Sequence, residues 1–257
     1  MKKVLKNIFI QRLLWIVLLL LVWEITVLLK LIPPSALPSI EDVCKELIKA
    51  ITKGELLRQT FNSISIILKA MVISFIMALI IIYLSEISKI FKSFLDTVIL
   101  ILNPLPGVAI LPLIMIWFGI SENAILAIIV HAIVWPLIIN LNTGLNDMPK
   151  VYREVSMNLG LSSLKFIKDI LLYSTMPFII SGFKIGWARA WRALISAEMI
   201  FGAVGSVGGI GIYIYRQRAF ANPSGIFAGL IIVMLIGIFI EEVVFKFIEN
   251  KTINKWK

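Results

Sequence analysis

The fold of this chain is decided by stretches such as residues 64–84, ISIILKAMVISFIMALIIIYL, in which Lys69 is the single charged residue. A helix of about 20 mostly apolar residues crosses a hydrocarbon core of about 30 Å. The stretch therefore predicts a membrane-spanning helix. Lys69 lies near one end of it, where its long side chain can reach the headgroups.

Other stretches have the length and composition of spans, with approximate bounds 13–29, 98–120, 124–141, 176–201 and 226–242. Hydrophobic residues make up 60% of the 257 residues and charged residues 16%. In soluble proteins, apolar residues average about 45–50% and charged residues about 25%. We therefore predict an all-α, polytopic membrane protein of about six transmembrane helices, with nearly the whole chain used by spans and their connections.

Two stretches depart from a simple span. Residues 39–62 mix charged and apolar residues at helical spacing, which predicts an amphipathic helix lying on a surface. The span at 98–120 contains Pro104, Pro106 and Pro112, and prolines at that density cannot leave a straight helix. A broken helix persists at membrane depth only where protein or a water-filled cavity satisfies its backbone, so we expect it inside the bundle or beside a pathway.

The chain is expected to have three parts: an N-terminal span with an external amphipathic helix (1–62), a transmembrane core (63–245) with a long cytoplasmic loop (142–175), and a basic cytoplasmic tail (246–257). Basic residues are about twice as numerous in the segments that this orientation makes cytoplasmic, which favours both termini inside. The net charge of +10 arises from basic residues that flank apolar runs and meet anionic lipid, so no nucleic-acid partner is expected.

Charged residues in the span at 176–201 are its costliest feature. A central Arg or Lys costs about 2.5–3.5 kcal/mol on the insertion scale, so Lys184, Arg189 and Arg192 should avoid lipid. Glu198 lies about 180° around the helix from Arg189 and cannot neutralise it within the helix. Arg189, Arg192 and Glu198, together with Asn103, form either a polar seam near a pathway or structural contacts with helices and headgroups. The structural interpretation is favoured over contact with substrate.

Neither catalysis nor a cofactor is predicted. The chain has one His, His131, and one Cys, Cys44, which leaves no metal-ligand cluster. His131 is interpreted as a buried, hydrogen-bonded side chain. No Gly-x-x-x-x-Gly-Lys-[Ser/Thr] phosphate loop is present, so the chain is not expected to hydrolyse ATP by itself. The glycine-rich segment 202–211 is interpreted as a tight external turn.

The loop at 142–175 predicts a short amphipathic helix. Asp147 can cap it, with Pro149 in its first turn, and Gly160 can end it. Ser162 can cap a second helix. One face of the first helix is apolar, formed by Val151, Val155 and Leu159. The pattern suits a helix that docks into a partner's groove, and equally one that rests on the membrane.

A resemblance favours docking. Glu154-Val155-Ser156 followed by Gly160 resembles the EAA…G loop of permease subunits of ATP-binding-cassette (ABC) importers. The resemblance continues through NPLPGV (103–108), LPLIMIWFG (111–119), SGFKIGWARAWRALISAEM (181–199) and GGIGI (208–212), and is to the nitrate/sulfonate/taurine branch. Val155 and Ser156 depart from the small residues usual there, and Tyr173 replaces a proline usual after Leu172.

The resemblance implies a type I importer permease (MetI-like) fold in the plasma membrane of a bacterium or archaeon. Two copies of the permease would form the pathway for a small solute, such as the anions sulfonate, taurine or nitrate. A separate cytoplasmic ATP-binding subunit would receive the helix at 149–160, and an external solute-binding protein would deliver the solute. The implied coupling residues are Tyr152, Glu154, Val155, Ser156, Leu159 and Gly160.

Other functions remain open from the sequence. An ion-gradient-driven secondary transporter would use Arg189, Glu198 and His131 as coupling groups. A permease of the same fold could import a vitamin precursor, and a non-transporting scaffold or sensor is a third class.

Overall fold

The computed structural model describes residues 8–162, 165, 170, 172–202 and 208–252, and within them it contains helices and no strand. The all-α fold class is confirmed. The helices are α1 (Ile8–Leu28), α2 (Ile40–Thr52), α3 (Glu55–Ile87), α4 (Lys89–Leu102), α5 (Leu111–Phe118), α6 (Glu122–Asn146), α7 (Lys150–Asn158), α8 (Met176–Gly202), α9 (Ile210–Ala219), α10 (Pro223–Phe239) and α11 (Lys246–Thr252). A single turn at Leu172–Ser174 precedes α8, and a π-helical segment, Ile240–Phe245, joins α10 to α11.

Four helical stretches among the described residues are long and apolar enough to cross a membrane. They are Ile10–Leu28, Glu55–Ile87, Glu122–Asn146 and Pro223–Thr252. The predicted span at 176–201 corresponds to α8, whose 27 residues suffice in length but include Lys184, Arg189, Arg192 and Glu198. Helix α8 therefore needs neighbours that shield its charges from lipid.

The break predicted in the span at 98–120 is confirmed. Helix α4 ends at Leu102 and α5 begins at Leu111, and the residues between them form successive turns. Pro104 and Pro106 lack backbone donors and cannot continue α4. Pro112 is tolerated because it lies in the first turn of α5, where its missing N–H would have no helical partner.

The prediction of a single amphipathic helix at 39–62 is wrong. Helix α2 ends at Thr52, and Gly54 has a φ of 71°, a left-handed conformation that favours glycine. Helix α3 then begins at Glu55, so the second span starts well before residue 64. Ser39 caps α2, since its Oγ accepts a hydrogen bond from the Asp42 N–H at 3.1 Å.

The core is built around α6, which packs against α3 and α8. Two glycines of α8 allow the close approach of α6. A Cβ at Gly182 would lie 3.1 Å from Leu137 Cδ2, and a Cβ at Gly186 would lie 3.1 Å from Ile133 Cγ2. Several apolar side chains of α6 are fully buried there: Ile125, Ile128, Ile129, Ile133, Leu137, Ile138 and Leu141.

Helix α1 lies at the periphery and is attached near one end. The Trp23 Nε1–H donates to the Pro38 carbonyl at 2.8 Å, and the Trp23 ring lies 4.9 Å from that of Phe227 in α10. The Ile40 N–H donates to Glu24 Oε2 at 3.2 Å, so the single carboxylate of α1 caps α2. Its apolar side chains from Leu13 to Val22 are exposed, as expected for a lipid-facing helix.

Candidate functional site

A cavity of about 510 Å³ lies between α6, α8 and the turns that connect α4 to α5. We call it the arginine cavity. Its polar lining residues are Asn103, His131, Trp135, Arg189, Arg192 and Ser196. Three of the four residues predicted for a polar seam, Asn103, Arg189 and Arg192, therefore come together around one space.

The broken segment between α4 and α5 forms one wall of the cavity. Residues 103–108 all line it, with Asn103 at the C-terminal cap of α4. The segment lies close against α6, since a Cβ at Gly107 would be 3.1 Å from Ile128 Cγ2. The density of prolines thus marks a cavity wall, which is where irregular backbone can persist in a membrane protein.

The two arginines of the cavity differ in their partners. Arg189 Nη1 donates to Asn103 Oδ1 at 2.8 Å, which fixes the guanidinium to a neutral amide. Arg192 lies one helical turn further on and is exposed. Among the described residues, the structure records no side-chain partner for the Arg192 guanidinium, and no acidic residue lines the cavity. The cavity is therefore positively charged and attracts anions.

Three other basic side chains of the bundle are paired with carboxylates. Lys184 Nζ lies 3.0 Å from Glu249 Oε1 and joins α8 to α11, and Lys69 Nζ lies 2.8 Å from Glu122 Oε1 and joins α3 to α6. Arg216 lies 3.5 Å from Glu55. The arginine cavity differs from these pairs, because no carboxylate among its lining residues compensates its positive charge.

Glu198, the fourth predicted seam residue, lies elsewhere. Its side chain is fully buried, Oε1 accepts from Ser63 Oγ–H at 2.7 Å, and Oε2 accepts from the Gly211 N–H at 2.8 Å. Ser63 Oγ in turn accepts from the Ile210 N–H at 2.9 Å. We call this group, with Gly209, the Glu198 junction.

The Glu198 junction connects α3, α8 and the first turn of α9. A carboxylate is stabilised at a helix N-terminus, where backbone N–H groups lack helical partners. Gly209 leaves room for it, because a Cβ there would overlap the Glu198 carboxylate. The function that this geometry supports is the anchoring of α9, and Glu198 does not contribute to the lining of the arginine cavity.

Sequence reasoning missed several of these residues. Ser63 was not singled out, although a small polar residue in an apolar span is a signal for a buried hydrogen bond. Trp135 lies on the cavity wall beside His131, with ring centroids 5.9 Å apart, and its buried Nε1 has no recorded partner among the described residues. Both aromatic rings precede Pro136 on α6, but nothing in their spacing indicated the cavity.

The loop helix predicted at 149–160 corresponds to α7. Its end is as predicted: Gly160 has a φ of 61°, and the Leu161 N–H donates to the Ser156 carbonyl at 3.0 Å, the bond typical of a glycine-terminated helix. The prediction that Asp147 caps α7 is wrong. Asp147 caps the C-terminus of α6 instead, its N–H donating to the Thr143 carbonyl at 2.9 Å.

Helix α7 presents an exposed apolar face. Val151 is 60% exposed, Val155 44% and Leu159 69%, and Tyr152 beside them is 47% exposed. Ser156 is buried. The second helix predicted after Ser162 falls mostly outside the described residues, although the Lys165 N–H donates to Ser162 Oγ at 3.4 Å. Much of the tight turn predicted at 202–211 lies outside them too.

These features define a multi-pass helical membrane protein with a charged cavity inside its bundle. Residues 70–254 match the family described as "Binding-protein-dependent transport system inner membrane component", and the chain belongs to this family. The match begins within α3 and leaves out α1 and α2. The resemblance read from the sequence is confirmed.

Individual relatives are permeases of the same branch. The nitrate import permease protein NrtB of Leptolyngbya laminosa is 33% identical over 150 residues, 58% of this chain and 52% of that protein. The taurine transport system permease protein TauC of Escherichia coli is 26% identical over 228 residues, 87% of this chain and 82% of that protein. The putative aliphatic sulfonates transport permease protein SsuC of Bacillus subtilis is 26% identical over 240 residues, 92% of this chain and 83% of that protein. The chain spans about half the length of the nitrate permease that it matches.

Proposed function

We propose that this chain is the pathway-forming permease of an ABC importer for a small anion such as nitrate, taurine or another sulfonate. Two copies would enclose the pathway, a separate cytoplasmic ATP-binding subunit would supply the energy, and an external binding protein would deliver the solute. The observation that carries the proposal is the exposed apolar face of α7 in a chain of this transport family.

The coupling role of α7 rests on its surface and its attachments. Val155 and Leu159 offer apolar contact area, with Tyr152 beside them, and Glu154 and Ser156 complete the short helix that Gly160 ends. A buried apolar face is the usual way in which a short amphipathic helix binds a groove. Because exposed apolar side chains cost free energy in water, a partner surface is expected to cover them.

Movement of α7 would reach the core directly. Helix α6 ends at Asn146 and α7 begins at Lys150, so the two are joined by three residues. Helix α6 in turn packs against α8 and α3. A displacement of α7 by the ATP-binding subunit would therefore shift α6 against α8 at the arginine cavity and bias the bundle between inward-open and outward-open states.

The proposed orientation puts both termini and α7 in the cytoplasm, with the short tail after residue 246 beside them. Residues 1–62 would supply a peripheral span and an external helix, and residues 63–245 the permease core with its coupling loop at 142–175. The membrane would be the plasma membrane of a bacterium or archaeon.

An ion-gradient-driven transporter is not favoured. It would need Arg189, His131 and Glu198 to act together, whereas Glu198 lies in the Glu198 junction, bonded to Ser63. A vitamin precursor remains the alternative solute within the same fold, and the positive charge of the arginine cavity favours an anion over it.

Crosslinking in native membranes tests the coupling role. Cys44 is the only cysteine, so a Cys44→Ser background permits single-cysteine variants. We expect Tyr152→Cys to form a crosslink with an ATP-binding subunit, and Leu57→Cys, which is 54% exposed on α3, to form none. Failure of Tyr152→Cys to capture that subunit, or its labelling by a membrane-impermeant reagent from outside, contradicts the proposal.

Uncoupling variants provide the functional counterpart. Gly160→Val places a β-branched residue at a φ of 61°, which L side chains rarely adopt, and should redirect the chain that follows α7. Glu154→Ala is the second variant. Each of the two is expected to leave the protein inserted in the membrane and to abolish ATP-driven uptake while ATP hydrolysis continues. Gly237→Ala is the control, since its Cβ meets no atom within 3.7 Å. Coupled uptake at the wild-type rate in both variants contradicts the assignment.

A further inference from the structure

We propose that the arginine cavity is a binding site for a small oxoanion, in which the guanidinium of Arg192 contacts the anion and Arg189 acts as a positioning residue. This inference deepens the proposed function and rests on it, because it assigns the contact with the solute to two particular side chains of the permease.

The different surroundings of the two arginines carry the assignment. The guanidinium of Arg189 is bound to Asn103 Oδ1 at 2.8 Å, and Asn103 is itself the C-terminal cap of α4. A neutral amide orients the guanidinium without cancelling its charge. Arg189 therefore fixes the wall formed by the broken segment to α8 and contributes positive potential to the cavity.

The guanidinium N–H groups of Arg192 are available as hydrogen-bond donors. The part of the chain that the structure describes gives its guanidinium no hydrogen-bond or ion-pair partner, and its side chain is exposed on the cavity wall. An unpaired Arg in a membrane-spanning helix is costly, and such residues mark solute pathways. The planar guanidinium offers two parallel N–H groups to one oxoanion, a geometry that a Lys ammonium does not reproduce.

Acidic groups near α8 do not compete for Arg192. Glu198 is on the same helix, but its two oxygens accept hydrogen bonds from Ser63 and Gly211. Glu249 pairs with Lys184 at 3.0 Å. Within the part of the chain that the structure describes, these two carboxylates are engaged elsewhere, and Arg192 is left available to an anion from outside the chain.

The walls restrict the anion further. Apolar side chains of Leu105, Val108, Ala132 and Ala193 line the rest of the roughly 510 Å³ space. The buried Trp135 Nε1, at the same wall, has no recorded partner in the described part of the chain. A site with a guanidinium, a neutral indole and small apolar side chains suits nitrate or a sulfonate with a short alkyl tail.

A binding measurement separate from transport tests the site. Ser196 lines the cavity, so Ser196→Cys in the Cys44→Ser background reports access to it through its rate of reaction with a thiol reagent. The purified permease in complex with its ATP-binding subunit is titrated with nitrate and with methanesulfonate. Both anions are expected to slow the reaction at saturating concentration.

Variants then separate the roles of the two arginines. Adding Arg192→Gln should raise the half-protecting anion concentration about tenfold or more, and Arg192→Lys should restore part of the loss. Arg189→Gln and Asn103→Ala should resemble each other, with a shift smaller than that of Arg192→Gln. In proteoliposomes, Arg192→Gln should raise the KM for anion uptake by a similar factor. Lys184→Gln, paired outside the cavity, should leave both readouts unchanged.

The outcomes distinguish this inference from the proposed function. Unchanged protection and KM in Arg192→Gln overturn the anion site, and ATP-driven uptake by the wild-type complex in the same experiment leaves the importer function intact. Protection without any ATP-driven uptake supports the site and overturns the importer. A smaller shift for Arg192→Gln than for Arg189→Gln overturns the assignment of contact and positioning roles.

Discussion

The arginine cavity and the Glu198 junction lie on the same helix and treat charge in opposite ways. In the cavity, Arg192 faces open space and has no recorded partner among the described residues. In the junction, Glu198 is fully buried, and both of its oxygens accept hydrogen bonds. A charged residue in a spanning helix is therefore not by itself the mark of a solute pathway, and the state of its hydrogen bonds separates a structural charge from an available one.

The contrast has a simple physical origin. The carboxylate of Glu198 lies at the positive N-terminus of α9 and accepts a hydrogen bond from the Gly211 N–H. Ser63 accepts from the Ile210 N–H and donates to the same carboxylate, so the first turn of α9 stabilises Glu198 inside the protein. Arg189 and Arg192 meet a neutral amide and a cavity. Changes to the junction should therefore reduce stability, and changes to the cavity should alter binding.

The largest effect on stability is expected for Gly209→Ala. The extended backbone at this position, with a φ of −179°, accepts any residue, but the new Cβ would overlap the Glu198 carboxylate. Displacing the carboxylate should cost about 3 kcal/mol or more, as overpacking adds to lost hydrogen bonds. The thermal unfolding midpoint of the purified protein in detergent measures the loss. Gly237→Ala is the matched control, and an equal midpoint for the two variants would mean that the junction is not closely packed.

A smaller loss is expected for Ser63→Ala. The variant removes a donor to Glu198 and the acceptor of the Ile210 N–H, both buried, at a cost of about 2 kcal/mol. Ser74→Ala serves as the control, because the buried Ser74 makes a longer bond of 3.4 Å to the Val130 carbonyl. Denaturant titration of both variants measures the difference. Similar losses would show that Ser63 has no special role at the start of α9.

The smallest effect is expected for Lys184→Gln. Its ion pair with Glu249 spans 3.0 Å, but the two side chains are 42% and 31% exposed, and exposed pairs contribute about 1 kcal/mol or less. In the wild-type protein, the stabilisation that this ion pair contributes should fall as the salt concentration is raised. Unfolding measured at low and high salt tests both points, and a loss as large as that of Ser63→Ala would place this pair in the same class as the junction.

The sequence predicted those parts of the site that depend on local chemistry. Prolines between Asn103 and Pro112 indicated a broken helix, and Gly160 indicated the end of α7. Helical geometry also placed Glu198 away from Arg189. It could not supply the partner of Glu198, because Ser63 lies 135 positions earlier in the chain and only the packing of α3 against α8 brings the two together.

The errors in helix boundaries came from competition between neighbouring helices. Asp147 is a good N-terminal cap in isolation, but α6 continues through Asn146 and makes Asp147 its own last cap. Gly54 divides α2 from α3 because it takes up a left-handed conformation, and the charged residues on both sides follow one helical pattern that hides the break. In both cases the alternatives differ by about one capping interaction, roughly 1 kcal/mol, which tertiary packing easily outweighs.

The attachment of α1 near one end, through Trp23 and Glu24, affects how the protein meets membranes of different thickness. A spanning helix accommodates hydrophobic mismatch by tilting, and the freedom to tilt depends on how many neighbours hold it. The apolar stretch of α1 before Trp23 has few neighbouring residues to hold it, so it can change its tilt while α3, α6 and α8 keep their packing. Helix α1 can therefore adjust its tilt to a thinner or thicker bilayer independently of the helices that surround the arginine cavity.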